Sequence, residues 1–293
     1  MTQGQPFERA PSDRSPAPVG ILPNFLVIVA PRCGTSSLAR YRRVHPEVFL
    51  AVPKELRFFD REFDRGLGWY RERFAAVDGE RAVGEASPSY LYRAEAVERM
   101  ATTVPHARLI AILRDPVARA YSHYWMERMR GRERRSFAEA VDAELGPGAG
   151  VSRSAEATGV AYLDRGRYLS QLERVGEHYP RSSLLVLVFD DVVADPAESY
   201  RKVCRFLAVS DTFVPPLLGT AVNPSVAFRS LGLRRLAKQL PDPARRVVER
   251  VNTRSFRYPP LDPGLRARAT AYLEDDTRAL GIWLDRDLSS WMA

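Results

Sequence analysis

Apolar residues along this chain gather into short unbroken runs, separated by stretches whose apolar positions recur at helical spacing. Phe25 to Ala30 is one such run, and Arg108-Leu109-Ile110-Ala111-Ile112-Leu113 and Ser183 to Phe189 are two more. A strand with one wet face alternates apolar and polar residues, so continuous runs predict strands buried on both faces. Val83-Gly84-Glu85 reads as a shorter strand that ends in the polar turn Ala86-Ser87-Pro88-Ser89-Tyr90. Between the runs the period lengthens. Leu38, Tyr41 and Val44 mark a first helix, and Gly66 to Phe74 forms a short amphipathic one that packs through Trp69, Tyr70 and Phe74. Asp115-Pro116 starts a helix to about Arg130, and Asp195-Pro196 starts another to about Leu207, with Asp as the cap and Pro in the first turn. Tyr162 to Tyr179 reads as one long helix, and the last runs from about Pro263 to Leu280. Strand, helix and strand in alternation predict βαβ units around a mostly parallel sheet.

The remaining stretches are less regular. Residues 1–20 are rich in Pro, Ser, Gly and charge without periodicity, which predicts a disordered leader before a single domain over 21–293. From Ser136 to about Thr158 acidic and basic residues mix around the breaker Gly146-Pro147-Gly148, as in an exposed connector or lid. Beyond residue 210 the chain reads as helical and Arg-rich, interrupted by Pro215-Pro216, Pro241, Pro243 and Pro259-Pro260. Phe25 to Ala30 is far too short to span a bilayer, and no cationic segment precedes an apolar one at the start, so neither membrane anchor nor secretory signal is expected.

Composition narrows the partners. The chain has 293 residues, 45% of them hydrophobic, which is ample for a core, and a net charge of +8 that favours anionic ligands. Acidic residues are mixed among the arginines almost everywhere, so the striped basic surface of a nucleic-acid binder is not expected. Cys33 and Cys204 have neither metal-ligand nor C-x-x-C spacing, which points to no disulfide framework, no metal site and a reducing, cytoplasmic setting.

The richest chemistry follows the first run. Pro31 stops the strand, and Arg32-Cys33-Gly34-Thr35-Ser36-Ser37 then makes a tight turn into a helix. A helix start offers unpaired backbone N–H groups and the positive end of the dipole, so small residues here let an anion approach, with Thr35, Ser36 and Ser37 as hydroxyl donors and Arg32 as the charge. The same residues also serve as an ordinary cap and turn. A nucleoside-triphosphate loop needs Lys after its second Gly, and Gly34 is followed by Thr35, which disfavours ATP or GTP. A second candidate lies after Leu113, where Arg114 at the strand end and Ser122 two turns into the helix can grip one phosphate between them, or serve as a structural Arg at a helix end. Glu55, beside Phe58 and Phe59, is a candidate general base if it loses solvent, and otherwise a surface carboxylate. The basic-aromatic loop Asn252 to Pro259, with Arg254 and Arg257, can close over a nucleotide or be exposed linker.

Taken in order, these segments resemble the sulfotransferases that use 3′-phosphoadenosine 5′-phosphosulfate (PAPS), especially the heparan-sulfate type and related bacterial enzymes, across roughly residues 24 to 291. Pro31 to Leu38 is similar to the family's 5′-phosphosulfate loop, and Arg114 and Ser122, in LRDPVARAYSHY, to its 3′-phosphate clamp. Lys54-Glu55-Leu56-Arg57-Phe58-Phe59 is similar to a K-E-x-x-F-F segment whose Glu is the base, and GLGWY at Gly66 and GEASPSYLY at Gly84 also fit. Five departures stand out. Arg32 and Cys33 occupy places where Lys and Gly are common, Ala86 and Met126 replace a Lys and a His of some heparan enzymes, and Phe256 falls where an Arg is usual.

The resemblance implies a P-loop-like three-layer α/β fold, with a central mostly parallel sheet flanked by helices. It implies PAPS as co-substrate without a metal, Glu55 and Arg32 as catalytic residues, and Arg32, Cys33, Gly34, Thr35, Ser36, Ser37, Arg114, Ser122, Arg254 and Arg257 around the donor. The acceptor would be a hydroxyl, less readily an amine, of a small metabolite, natural product or saccharide, with neither nucleic acid nor membrane as partner. A P-loop kinase or NTPase-like phosphotransferase and a non-catalytic nucleotide-binding protein remain alternatives.

Overall fold

The computed structural model describes residues 20–28, 32, 45–146, 161–215, 226–228, 230–237 and 239–293. Its centre is a five-stranded sheet of β1 (Phe25–Val27), β2 (Val48–Leu50), β3 (Ala82–Ala86), β4 (Arg108–Leu113) and β5 (Leu184–Val188), in spatial order β2-β3-β1-β4-β5. Every neighbouring pair is parallel. The central strands are dry on both faces: Phe25 to Ile28 and Leu109 to Leu113 are all fully buried. Unbroken apolar runs produce that arrangement, because an all-parallel sheet is covered on both sides by its crossover helices.

Register and close approach are fixed by particular residues. Phe25 to Val27 pair with Gly84 to Ala86 on one side and with Arg108 to Ile110 on the other. Gly84 is required where β3 meets β1, since a Cβ there would lie 2.5 Å from the carbonyl oxygen of Phe25. The chain leaves β1 for β2 and β3 on one flank and crosses back to β4 on the other. The ends of β1 and β4 therefore open into the crevice where doubly wound sheets hold their ligands.

The helices follow the expected positions with informative exceptions. Helix Pro116–Met129 is capped by Asp115, whose carboxylate accepts from the N–H groups of Val117 at 2.9 Å and Ala118 at 3.1 Å. Helix Pro196–Leu207 starts on Asp195 in the same way, and the last helix, Pro263–Leu284, extends beyond its expected end. The predicted long helix over 162–179 divides into a 3-10 turn, Asp164–Gly166, and a helix, Tyr168–Gly176. The break falls at Arg167, whose backbone (φ -77, ψ 77) is not helical, and the carboxylate of Glu144 accepts from the N–H groups of Tyr162, Leu163 and Asp164 before it. Instead of the exposed connector expected from residue 136, helix Phe137–Leu145 begins with a Ser136/Glu139 capping box and buries Phe137, Ala140 and Val141; residues 147–158 of that expectation lie outside the described residues.

Three further strands were not legible. β2 is a three-residue edge strand, and β6 (Val226–Phe228) pairs antiparallel with β7 (Thr253–Ser255), so the expected basic loop from Asn252 opens as a strand. Asn252, buried beside it, exchanges two 2.8 Å hydrogen bonds with the backbone of Ser230. The expected leader falls on residues outside the description except for Gly20. There a Cβ would overlap the carbonyl of Arg71, so the chain already lies against helix Gly66–Glu72. No helix among the described residues is long and apolar enough to cross a membrane.

Candidate active site

Arg32 stands beyond the end of β1 in a left-handed backbone conformation, φ 77. Its guanidinium Nε donates to Ser122 Oγ at 2.9 Å and its Nη2 to Tyr258 Oη at 2.8 Å, and the two hydroxyls lie 3.2 Å apart. Arg114, at the end of β4, donates from Nη1 to the backbone oxygen of Arg32 at 3.2 Å. Three segments far apart in sequence thus bring two guanidinium groups and two hydroxyls to the carboxyl ends of β1 and β4. Sequence reasoning placed Arg32 and Ser122 at opposite ends of a nucleotide. In the folded chain the Arg32 side chain joins the two places, so the candidate groups form one continuous surface.

Each member is held from behind. The Asp115 cap orients the first turn of helix Pro116–Met129 and is itself gripped by Arg266 at 3.1 Å. The carbonyl of Arg114 accepts from Tyr168 Oη at 3.0 Å, and its guanidinium lies 5.0 Å from the centroid of the Phe189 ring. Ser122 is buried on the inner face of its helix. Tyr258 stacks on Trp125, with the planes 8° apart, and Phe256 closes on the same indole at 5.2 Å. Tyr121 donates to the carbonyl of Pro259 at 3.0 Å. An aromatic seam therefore ties the segment after β7 to the helix that carries Ser122.

Tyr258 is the member that sequence reading missed. The expected contacts from that loop were Arg254 and Arg257, yet both are exposed, with Arg254 paired into the small sheet opposite Ala227. The available signal was the aromatic spacing: Phe256 and Tyr258 meet Trp125 and Tyr121 across the helix surface. Of the first loop only Arg32 is described, so Cys33, Gly34, Thr35, Ser36 and Ser37 lie outside the described residues. Cys204 is buried and unbridged.

Glu55 takes the second of its two expected places, a surface carboxylate beside buried aromatic rings. Phe58 and Phe59 are fully buried, with Phe58 stacked 4.1 Å from the Tyr70 ring, but Glu55 itself is exposed. The backbone turns through left-handed conformations at Glu55, φ 65, and Arg57, φ 57, which puts the carboxylate outside while the rings go in. Arg130 lies within electrostatic reach of both Glu55 and Arg32. Burial, reinforced by Arg119, Arg165, Arg130 and Arg32, holds His123 well below the usual imidazole range, so it stays neutral near pH 7. The surroundings are cationic.

Residues 69–212 match the model of the sulfotransferase family. The chain belongs to that family. It is 32% identical over 188 residues to heparan sulfate glucosamine 3-O-sulfotransferase 3B1 of Mus musculus, covering 64% of this chain and 46% of that protein. It is 29% identical over 287 residues to the human bifunctional heparan sulfate N-deacetylase/N-sulfotransferase 3, covering 92% of this chain and 31% of that one. The chain thus spans less than half the length of either relative. Among solved structures, a sulfotransferase from Alicyclobacillus acidocaldarius superposes with a TM-score of 0.70 at 28% identity, over 93% of this chain and 100% of the other. As a member of this family, the chain has the expected three-layer architecture, with the Arg32, Arg114 and Ser122 cluster at its strand ends.

Proposed function

We propose that this protein transfers a sulfuryl group from PAPS to a hydroxyl, or less readily an amine, of a saccharide or small-molecule acceptor. The observation that carries the reading is the convergence of Arg32, Arg114, Ser122 and Tyr258 on one surface at the ends of β1 and β4. Guanidinium forks and hydroxyls suit phosphate and sulfate oxygens, and the second strand end supplies the contacts that select a 3′-phosphate over ATP. Family relatives act on heparan sulfate, which supports a saccharide acceptor.

In the transfer, an acceptor oxygen attacks sulfur as the bond from sulfur to the 5′-phosphate oxygen breaks. The acceptor proton passes to Glu55, and adenosine 3′,5′-bisphosphate leaves. Negative charge grows on the departing phosphate, where Arg32 is available to receive it, and fixed charge of this kind stabilises the transition state without reorganisation. Arg114, Ser122 and Tyr258, on the same surface beside Arg32, hold the 3′-phosphate of the donor.

Two measurements test the reading. Adenosine 3′,5′-bisphosphate raises the melting temperature more than ATP with Mg²⁺ does, since a ligand that binds only the folded state stabilises it by mass action. Radiolabelled sulfate passes from PAPS to a member of a panel of carbohydrate and small-molecule hydroxyls, and Glu55→Gln lowers that rate by about 10² to 10⁴. Equal stabilisation by ATP returns the kinase or NTPase alternative. Nucleotide binding without any transfer identifies a non-catalytic protein, and normal turnover by Glu55→Gln removes the base assignment.

A further inference from the structure

Outside this cluster, a buried polar network surrounds Glu85 near the end of β3. Its Oε1 accepts from Tyr70 Oη at 3.0 Å and Tyr90 Oη at 2.7 Å, and its Oε2 from Ser87 Oγ at 2.8 Å. A residue needed only to fill this space would be apolar like its neighbours Val83 and Ala86, because a buried carboxylate gives up its hydration.

Two of the three hydroxyls lead onward to one place. The backbone N–H of Arg57 donates to Ser87 Oγ at 3.0 Å, and that of Phe59 donates to Tyr90 Oη at 3.3 Å. Both amides belong to the segment that carries Glu55. That segment turns left-handed at Glu55 and Arg57, and residues with side chains keep such backbones only where their surroundings over-determine them. The Arg57 side chain is pinned from the other direction by Asp60 at 2.8 Å and Ser89 at 3.3 Å.

We propose that Glu85 is a positioning residue for sulfuryl transfer: through Ser87 and Tyr90 it fixes the backbone of residues 57–59 and so places the Glu55 carboxylate at the acceptor. This inference rests on the reading of Glu55 as the base. Glu85 touches neither donor nor acceptor. Tyr70 supplies an internal comparison, since its hydroxyl also donates to Glu85 but makes no link to the amides of Arg57 and Phe59. The ionisable groups facing the carboxylate are Tyr70, Tyr90 and, at longer range, Asp60.

The experiment compares Ser87→Ala, Tyr90→Phe, Tyr70→Phe and Glu55→Gln in the full chain. Three quantities are read: amide hydrogen exchange over residues 54–60, the Kd for adenosine 3′,5′-bisphosphate, and sulfate transfer from labelled PAPS to the saccharide panel. Ser87→Ala and Tyr90→Phe speed exchange in that segment and lower kcat about 10- to 100-fold, the scale of a misplaced catalytic group, while donor Kd changes less than about twofold. Tyr70→Phe leaves exchange and kcat near wild type. Unchanged exchange or unchanged kcat in the first two variants overturns the relay. So does an equal loss in Tyr70→Phe, which would tie the effect to burial of the carboxylate rather than to its link with residues 57–59. If Glu55→Gln turns over normally, the base reading fails on its own, and exchange still decides whether residues 57–59 are held. If Glu55→Gln is impaired while the Ser87 and Tyr90 variants are not, the relay alone is wrong.

Discussion

At the scale of single residues, a phenolic hydroxyl completes the candidate site. Tyr258 Oη accepts from Arg32 and lies beside Ser122, so it stands among the groups that would meet a donor phosphate. Tyr258→Phe is expected to weaken adenosine 3′,5′-bisphosphate about 3- to 10-fold, the loss of one neutral hydrogen bond, and Arg114→Ala about 10- to 100-fold, the loss of a charge-assisted one. Isothermal titration of both variants checks the ratio. Glu85 gives a second expectation. Burial pushes its carboxyl up to about 7 against three hydroxyl donors that favour the charged form. A folded-state value above the unfolded one means the native state keeps a proton the unfolded chain has released. The linked stability is therefore complete below about pH 4.5 and is lost as pH rises through about 7, on the order of 3 kcal/mol in all. Glu85→Gln has no charge to bury, so its melting temperature should gain on wild type steadily between those pH values; a constant difference would contradict the assignment.

At the scale of elements, one cap organises much of the site. Asp115 secures the first turn of helix Pro116–Met129, next to Arg114 and two turns before Ser122, and also holds Arg266 of the final helix. Asp115→Ala should cost about 1–2 kcal/mol, read from the denaturation midpoint, and should weaken nucleotide binding through the loosened helix start. Unchanged stability would mean that Pro116 and the packing of Val117 suffice. Local signals such as Asp-Pro starts were readable because they act within one turn. The division of residues 162–179 at Arg167 was not, since the packing around it, such as Gly166 against Pro116 and Leu273, joins residues far apart in the chain. The capping box at Ser136 and Glu139 was present in the sequence but was outweighed by the surrounding charge and the Gly-Pro-Gly breaker.

At the scale of the whole molecule, the parallel sheet sets where chemistry can occur. Gly84 allows β3 to close on β1, and Gly84→Ala would place a methyl against the Phe25 carbonyl and ring, both rigid. A cost of about 1–3 kcal/mol is expected, the usual penalty for overpacking, measured as a lower denaturation midpoint with an unchanged slope. The sequence alone determined the α/β class, the buried strands and the helix starts, and offered Arg32, Arg114 and Ser122 as candidates, because periodicity, caps and loop chemistry are properties of neighbours along the chain. Only the tertiary structure decided that Arg32 and Ser122 share one surface, that Tyr258 joins them, and that Glu85 supports the segment bearing Glu55. These contacts span long stretches of sequence and depend on strand order and on which face each side chain takes, and neither is encoded in any local window.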